Sequence, residues 1–218
     1  MAPLKVIGAG FSRTGTESLR TALNNLGFHT MHLHELFNKD HGTLAMDFLE
    51  VYRNPEKPVN WDSLYKDYDA AVDVPNYLLL DRLLKAYPDA KIILTERDVD
   101  SWYQSFHRTI IQTLGTVSED APQHVKDTQD MAVEICFDGV PFSGNEIDEG
   151  AFKSKYLRHY EWVKANVPSE RLLVFKQGEA NYPELCAFLG VEKVPEESYP
   201  WTNRSQDMAV YLKGVFQS

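Results

Sequence analysis

Val6-Ile7-Gly8-Ala9-Gly10-Phe11-Ser12-Arg13-Thr14-Gly15-Thr16-Glu17-Ser18-Leu19 is the stretch that decides the fold. It reads as a short apolar strand, a tight loop, and a helix entered through Gly15-Thr16. A helix that starts at such a loop turns several backbone N–H groups and the positive end of its dipole toward one small volume, which suits a phosphate-like anion. Arg13 adds a full positive charge, and Ser12, Thr14, Thr16 and Ser18 add hydroxyl donors. Two familiar nucleotide loops fit badly. The pattern G-x-x-x-x-G-K-[ST] aligns on Gly10 and Gly15, but Thr16 stands where the lysine for the terminal phosphates belongs, which disfavours an ordinary ATPase or GTPase. The pattern G-x-G-x-x-G begins at Gly8 and Gly10, yet Arg13 replaces its third glycine. Phe28-His29-Thr30-Met31 then fills the place of the acidic ribose ligand, so a NAD site fits poorly.

Outward from this loop the chain alternates strand and helix signals. Residues 4–8 read as the first strand, 16–26 as an amphipathic helix ended by Gly27, and 28–31 as a short extended piece. Ala70-Ala71-Val72-Asp73-Val74-Pro75 reads as a buried strand stopped by proline, and residues 77–86 repeat leucine at helical spacing. Ala90-Lys91-Ile92-Ile93-Leu94-Thr95 is the clearest strand, with a helix beginning near Asp98. Helices are expected at 122–137, 151–166 and 183–189, a flexible loop at 137–144, a strand at 171–175 and a terminal helix from about Ser205. This alternation predicts an α/β fold of three layers, α/β/α, around a central parallel sheet. Ligands of such sheets bind beyond the carboxyl ends of the strands.

Three further groups stand at such ends. Arg97 follows the clearest strand, and Ser105 lies eight residues on, two helical turns along, so both reach one phosphate if that helix passes a bound nucleotide. The alternative is an arginine paired with Asp98 or Glu96. Asp73 closes the buried strand, 24 residues before Arg97. His32 and His34, with His41 nearby, suggest a metal site, but no cysteine or paired acidic set completes it, and a packed or solvated histidine pair reads equally well.

The segment Gly10-Phe11-Ser12-Arg13-Thr14-Gly15-Thr16 closely resembles the loop G-F-P-[KR]-[ST]-G-T of sulfotransferases, and Arg97 with Ser105 resembles their second phosphate site. The likeness runs over residues 4–35, 70–106 and 155–203. It implies a P-loop fold and a single domain over residues 1–218. It also implies 3′-phosphoadenosine 5′-phosphosulfate (PAPS) as co-substrate, PAP as product and no metal. Ser12, Arg13, Thr14, Gly15, Thr16, Glu17 and Ser18 would hold the 5′ end, and Arg97 and Ser105 the 3′-phosphate. Arg13 would stabilise the charge that develops on the bridging oxygen.

Cytosolic sulfotransferases place a catalytic histidine where Asp73 stands, and the chain looks more like a shorter group, met in fungi, invertebrates and bacteria, with aspartate there. The resemblance then implies Asp73 as the general base, beside a small-molecule acceptor bordered by His32 and His34. A solvated aspartate, with a pKa of about 3.9, is too acidic for that task. Val72, Val74 and Pro75 can raise it by desolvation. A magnesium-associated acid, as in a P-loop kinase, and a purely structural carboxylate remain the other readings. A non-catalytic nucleotide-binding module is a further alternative. The chain departs from the family at Ser12, where proline is frequent, a change expected to loosen the turn. It also lacks an Arg-Lys-Gly-x-x-Gly segment over the 3′-phosphate, for which Asn203-Arg204 is the one candidate.

With 218 residues, 43% hydrophobic content and 25% charged, the chain has the composition of an ordinary globular protein with a substantial core. A net charge of -10 argues against nucleic-acid binding. Cys136 and Cys186 lack metal spacing and suit a reducing, cytoplasmic setting. With neither a signal-peptide pattern nor a long apolar run, no membrane association is expected. A homodimer is left open.

Overall fold

Val6 and Ile7 point to opposite faces of their strand, and the two buried clusters of the protein follow from that alternation. The computed structural model describes residues 4–113, 117–143 and 146–201. Its elements are β1 (Val6–Gly8), α1 (Thr16–Asn25), β2 (Thr30–Met31), α2 (Leu33–Leu36), α3 (Leu44–Arg53), α4 (Trp61–Leu64), β3 (Ala70–Ala71), α5 (Leu80–Ala86), β4 (Lys91–Glu96), α6 (Val99–Thr109), α7 (Gln123–Phe137), β5 (Phe142–Ser143), β6 (Glu146–Ile147), α8 (Glu149–Asn166), β7 (Leu172–Lys176) and α9 (Tyr182–Leu189). Five of the strands form one parallel sheet in the order β2-β3-β1-β4-β7. On one face Val6, Ala70, Val72, Ile93 and Phe175 pack against Leu19 and Leu23 of α1 and Leu185 of α9. On the other, Ile7, Ala71, Ile92 and Leu94 pack against residues of α3, α5, α6, α7 and α8. Three layers result, as the alternation of the sequence predicts.

The chain builds the β2–β3 side before crossing to β4, so its direction of growth reverses beside β1, and the crevice of an open parallel sheet lies at the carboxyl ends of β1 and β4. Two expectations need correction. The strand read at 70–75 stops after Ala71, because Asp73 adopts a left-handed backbone (φ 66°) and the Asn76 side chain takes the Val72 carbonyl at 2.7 Å. The loop at 137–144 contains one arm of a small antiparallel hairpin, β5 with β6. The helix expected from Ser205 lies outside the described residues. No helix among those described is long and apolar enough to cross a membrane.

Candidate active site

The anion loop is built by close approach. A Cβ placed on Gly10 would lie 2.0 Å from Thr95 Oγ1 and 2.8 Å from the Thr95 carbonyl oxygen, so only glycine lets the loop lie against the end of β4. Thr14 Oγ1 donates to the Phe11 carbonyl (2.6 Å) and therefore accepts from Thr95 Oγ1 (2.7 Å), tying the loop across the crevice. Gly15, at φ 111°, turns the chain into α1. Arg13 is itself left-handed (φ 72°), a conformation that costs a non-glycine residue on the order of 1 kcal/mol and aims its side chain.

One face of α8 fixes the two loops to each other. Tyr156 Oη donates to the Arg97 carbonyl (2.7 Å) and accepts from its N–H (3.1 Å). Tyr160 Oη donates to the Thr95 carbonyl (2.6 Å) and accepts from Phe11 N–H (3.3 Å). His159 Nε2 donates to the Ala9 carbonyl at 2.7 Å. Positions 156, 159 and 160 share a helix face, so a single element satisfies backbone groups of both loops. Phe11 fills the space beneath, against Tyr77 (4.4 Å between centroids), Tyr156 (5.4 Å) and Trp102 (5.6 Å), and Trp102 Nε1 donates to the Ser12 carbonyl (3.0 Å).

The cavity at this crevice is lined by Arg13, Thr14, Gly15, Thr16, Glu17 and Ser18 from the first loop and by Arg97 and Ser105 from the second. Arg97 takes neither acidic neighbour: Glu96 pairs with Lys164 (2.6 Å) and Asp98 caps α6 through Ser101 N–H (2.9 Å). Its guanidinium donates instead to Ser101 Oγ (2.9 Å) and to the Arg13 carbonyl (3.3 Å). Burial lowers the pKa of Arg97, and Arg108 lowers it further. Burial takes Arg13 to about 10 against the pull of Asp73, and Arg97 adds to the lowering. Both stay charged at neutral pH. Ser105 is 1% exposed, and its hydroxyl has no hydrogen-bond partner among the described residues. The sequence reading missed the opposite wall: Lys176 at the end of β7 and Gln177 and Gly178 just beyond it, with Phe175, Tyr199 and Trp201. The signal for Lys176 was available, since it sits at the carboxyl end of a strand. Arg204 lies outside the described residues.

Asp73 stands behind the loop, 3% exposed and off the cavity wall. Ser12 Oγ donates to its Oδ1 at 2.5 Å, and His32 Nε2 lies 3.2 Å from its Oδ2. Burial raises the Asp73 carboxyl to about 6, with the Ser12 hydroxyl, His34 and the Val74 N–H opposing the rise. Ser12 thus faces Asp73 and not the cavity, and its hydroxyl does more than relax a turn.

The histidines join an acid that the sequence reading had not placed with them. Glu17 Oε2 lies 3.3 Å from His34 Nδ1 and 3.6 Å from His32 Nε2. Burial alone would raise Glu17, but His34, His32 and Arg20 outweigh it and hold the carboxyl at about 2. Arg20 bridges Glu17 (2.9 Å) to Glu35 (2.6 Å). Glu17, His32 and His34 come close enough for a cation, yet the donor set opposes one. His32 Nδ1 accepts the His34 backbone N–H at 3.2 Å, so the neutral ring carries its hydrogen on Nε2, the atom a metal would need bare. Burial, reinforced by His34, pushes His32 well below the usual histidine range and keeps the ring neutral.

The sulfotransferase domain model matches residues 5–208. Ava biosynthesis cluster protein M of Aspergillus versicolor is 30% identical over 209 residues, covering 90% of this chain and 80% of that protein. A crystal structure of a sulfotransferase from Alicyclobacillus acidocaldarius aligns over 100% of this chain and 92% of that one, with 16% identity and a TM-score of 0.47. An anion loop, a second arginine across one crevice and a match over nearly the whole length lead to one conclusion: the chain belongs to the sulfotransferase family.

Proposed function

We propose that the protein moves the sulfuryl group of PAPS onto a hydroxyl or amine of a small-molecule acceptor, with Asp73 as the proton acceptor and PAP as the leaving group. The observation that carries this reading is the cavity wall on which Arg13, Arg97 and the buried Ser105 hydroxyl, without a hydrogen-bond partner among the described residues, converge. A buried donor without an acceptor costs stability, and a phosphate oxygen supplies what Ser105 lacks. The N–H groups of residues 14–16 with Arg13 take one end of the nucleotide, and Arg97 with Ser105 take the 3′-phosphate, with Lys176 on the facing wall.

In transfer, the acceptor heteroatom forms a bond to sulfur as the bond between sulfur and the bridging oxygen breaks, and the electron pair leaves with PAP. Arg13 and the loop N–H groups stabilise the negative charge that grows there. Asp73, raised toward neutrality by burial, takes the acceptor's proton. The name of the Aspergillus relative as a biosynthesis cluster protein supports a small molecule as acceptor. Buried, unpaired Cys136 and Cys186 support a reducing, cytoplasmic setting.

Calorimetry with PAP and ATP, followed by transfer of labelled sulfate from PAPS to a panel of phenols, alcohols and amines, tests the proposal. PAP binding with labelled product sustains it. ATP binding without PAP binding would replace it with a kinase, and PAP binding without any turnover would leave a nucleotide-binding module.

A further inference from the structure

The two oxygens of the Asp73 carboxylate face side chains of two separate elements: Ser12 Oγ donates to Oδ1, and His32 Nε2 lies 3.2 Å from Oδ2. Ser12 comes from the loop after β1, and its hydroxyl has a proton to give while ionised Asp73 has only lone pairs to offer. His32 comes from the end of β2, where it caps α2 by accepting the His34 N–H on Nδ1. That bond locks the ring. A second proton on Nδ1 would meet the backbone hydrogen already there, so His32 serves neither as a base nor as a cation ligand. It is a fixed N–H donor, 1% exposed, with Asp73 Oδ2 at 3.2 Å, Thr16 Oγ1 at 3.4 Å and Glu17 Oε2 at 3.6 Å around its Nε2.

We propose that Ser12 and His32 are positioning residues for Asp73, a hydroxyl and an imidazole N–H that grip both carboxylate oxygens, fix the plane of the group and keep it ionised. The inference rests on the reading of Asp73 as the proton acceptor. Two donors on the ionised form oppose the cost of burying it, so the group stays a base at neutral pH despite near-complete enclosure. Arg13, Glu17, His34, Tyr77 and Cys136 also face Asp73. Neither Ser12 nor His32 lies on the cavity wall, which separates their task from nucleotide binding. A proline in place of Ser12 would have no hydroxyl to give, so the grip belongs to this chain's own sequence.

The test is a carbon-13 NMR titration of aspartate carboxyls in the full chain without nucleotide, with the Asp73 signal assigned by its loss in Asp73→Asn. Ser12→Ala and His32→Leu should each move the Asp73 midpoint up by about one pH unit, the size of one charge-assisted bond. Ser12→Thr and His32→Gln, which keep a donor, should return it close to the original. The acid limb of kcat/KM should move with the NMR midpoint, while the PAP dissociation constant changes less than about twofold. An unmoved Asp73 midpoint in folded Ser12→Ala overturns the grip, whether or not His32→Leu folds. If the unaltered protein transfers no sulfuryl group, the functional reading falls, and the NMR titration still decides the grip.

Discussion

Arg97 Nη1 donates to the backbone carbonyl of Arg13 at 3.3 Å, which places the two cationic residues of separate loops on the wall of one cavity. Burial lowers the pKa of both guanidinium groups, with Arg97 adding to the lowering of Arg13 and Arg108 to that of Arg97. One cavity therefore carries two positive charges on its wall.

Removing either hold on the second phosphate should weaken PAP selectively. Arg97→Ala is expected to raise the PAP dissociation constant about 30-fold and Ser105→Ala about fivefold, in line with charge-assisted and neutral hydrogen bonds. Adenosine 5′-phosphate, without the 3′-phosphate, should lose little in either variant. Equal losses for both nucleotides, measured by calorimetry, would place the 3′-phosphate elsewhere.

Asp73→Asn should cut kcat by at least about 10²-fold, within the range of general base catalysis, and leave PAP affinity within about twofold. Full activity in the variant would remove Asp73 from the chemistry.

The same substitution should stabilise the fold. Burial raises the Asp73 carboxyl from its ordinary 3.8 to about 6, so the native state binds the proton more tightly than the unfolded chain. Stability conferred on this group is greatest when it is protonated, below about pH 4, and falls as pH rises through about 6. At pH 7.5, Asp73→Asn should gain about 2 kcal/mol in urea unfolding, a gain that shrinks below pH 6 and vanishes near pH 4. A constant difference across that window would mean that ionisation of Asp73 is not the cause.

Tyr156→Phe removes one hydroxyl that satisfies both the N–H and the carbonyl of Arg97. It should cost about 1–2 kcal/mol of stability and weaken PAP several-fold through the displaced arginine. Unchanged PAP binding beside a lowered Tm would confine Tyr156 to packing.

Dialysis against a chelator should leave sulfuryl transfer unchanged, because His32 presents a hydrogen where a cation would need a lone pair. Loss of activity that zinc or magnesium restores would reverse that tautomer assignment.

The anion loop was legible because its requirements are local: a strand, glycines at Gly10 and Gly15, and hydroxyls within a few residues. Arg97 was legible from the strength of β4, whose apolar run fixes where the strand ends. The partners that align these loops were not. Tyr160 meets Phe11 across 149 positions and His159 meets Ala9 across 150, and no periodicity marks which face of a helix will carry such bonds. The Ser12 hydroxyl reaches Asp73 across 61 positions, so the sequence alone presented it as a turn substitution and a donor to the bound anion. The strand at 70–75 was overread because its apolar residues continue past the point where Asp73 turns the backbone. Glu17 escaped assignment to the histidines because α1 and β2 meet only once the sheet has formed.

The contact between Gly10 and Thr95 leaves no space for even a methyl group. The loop that carries Arg13 therefore lies directly against the end of β4, the strand that leads to Arg97. Across the cavity the lining ends at Trp201, which stands 57% exposed.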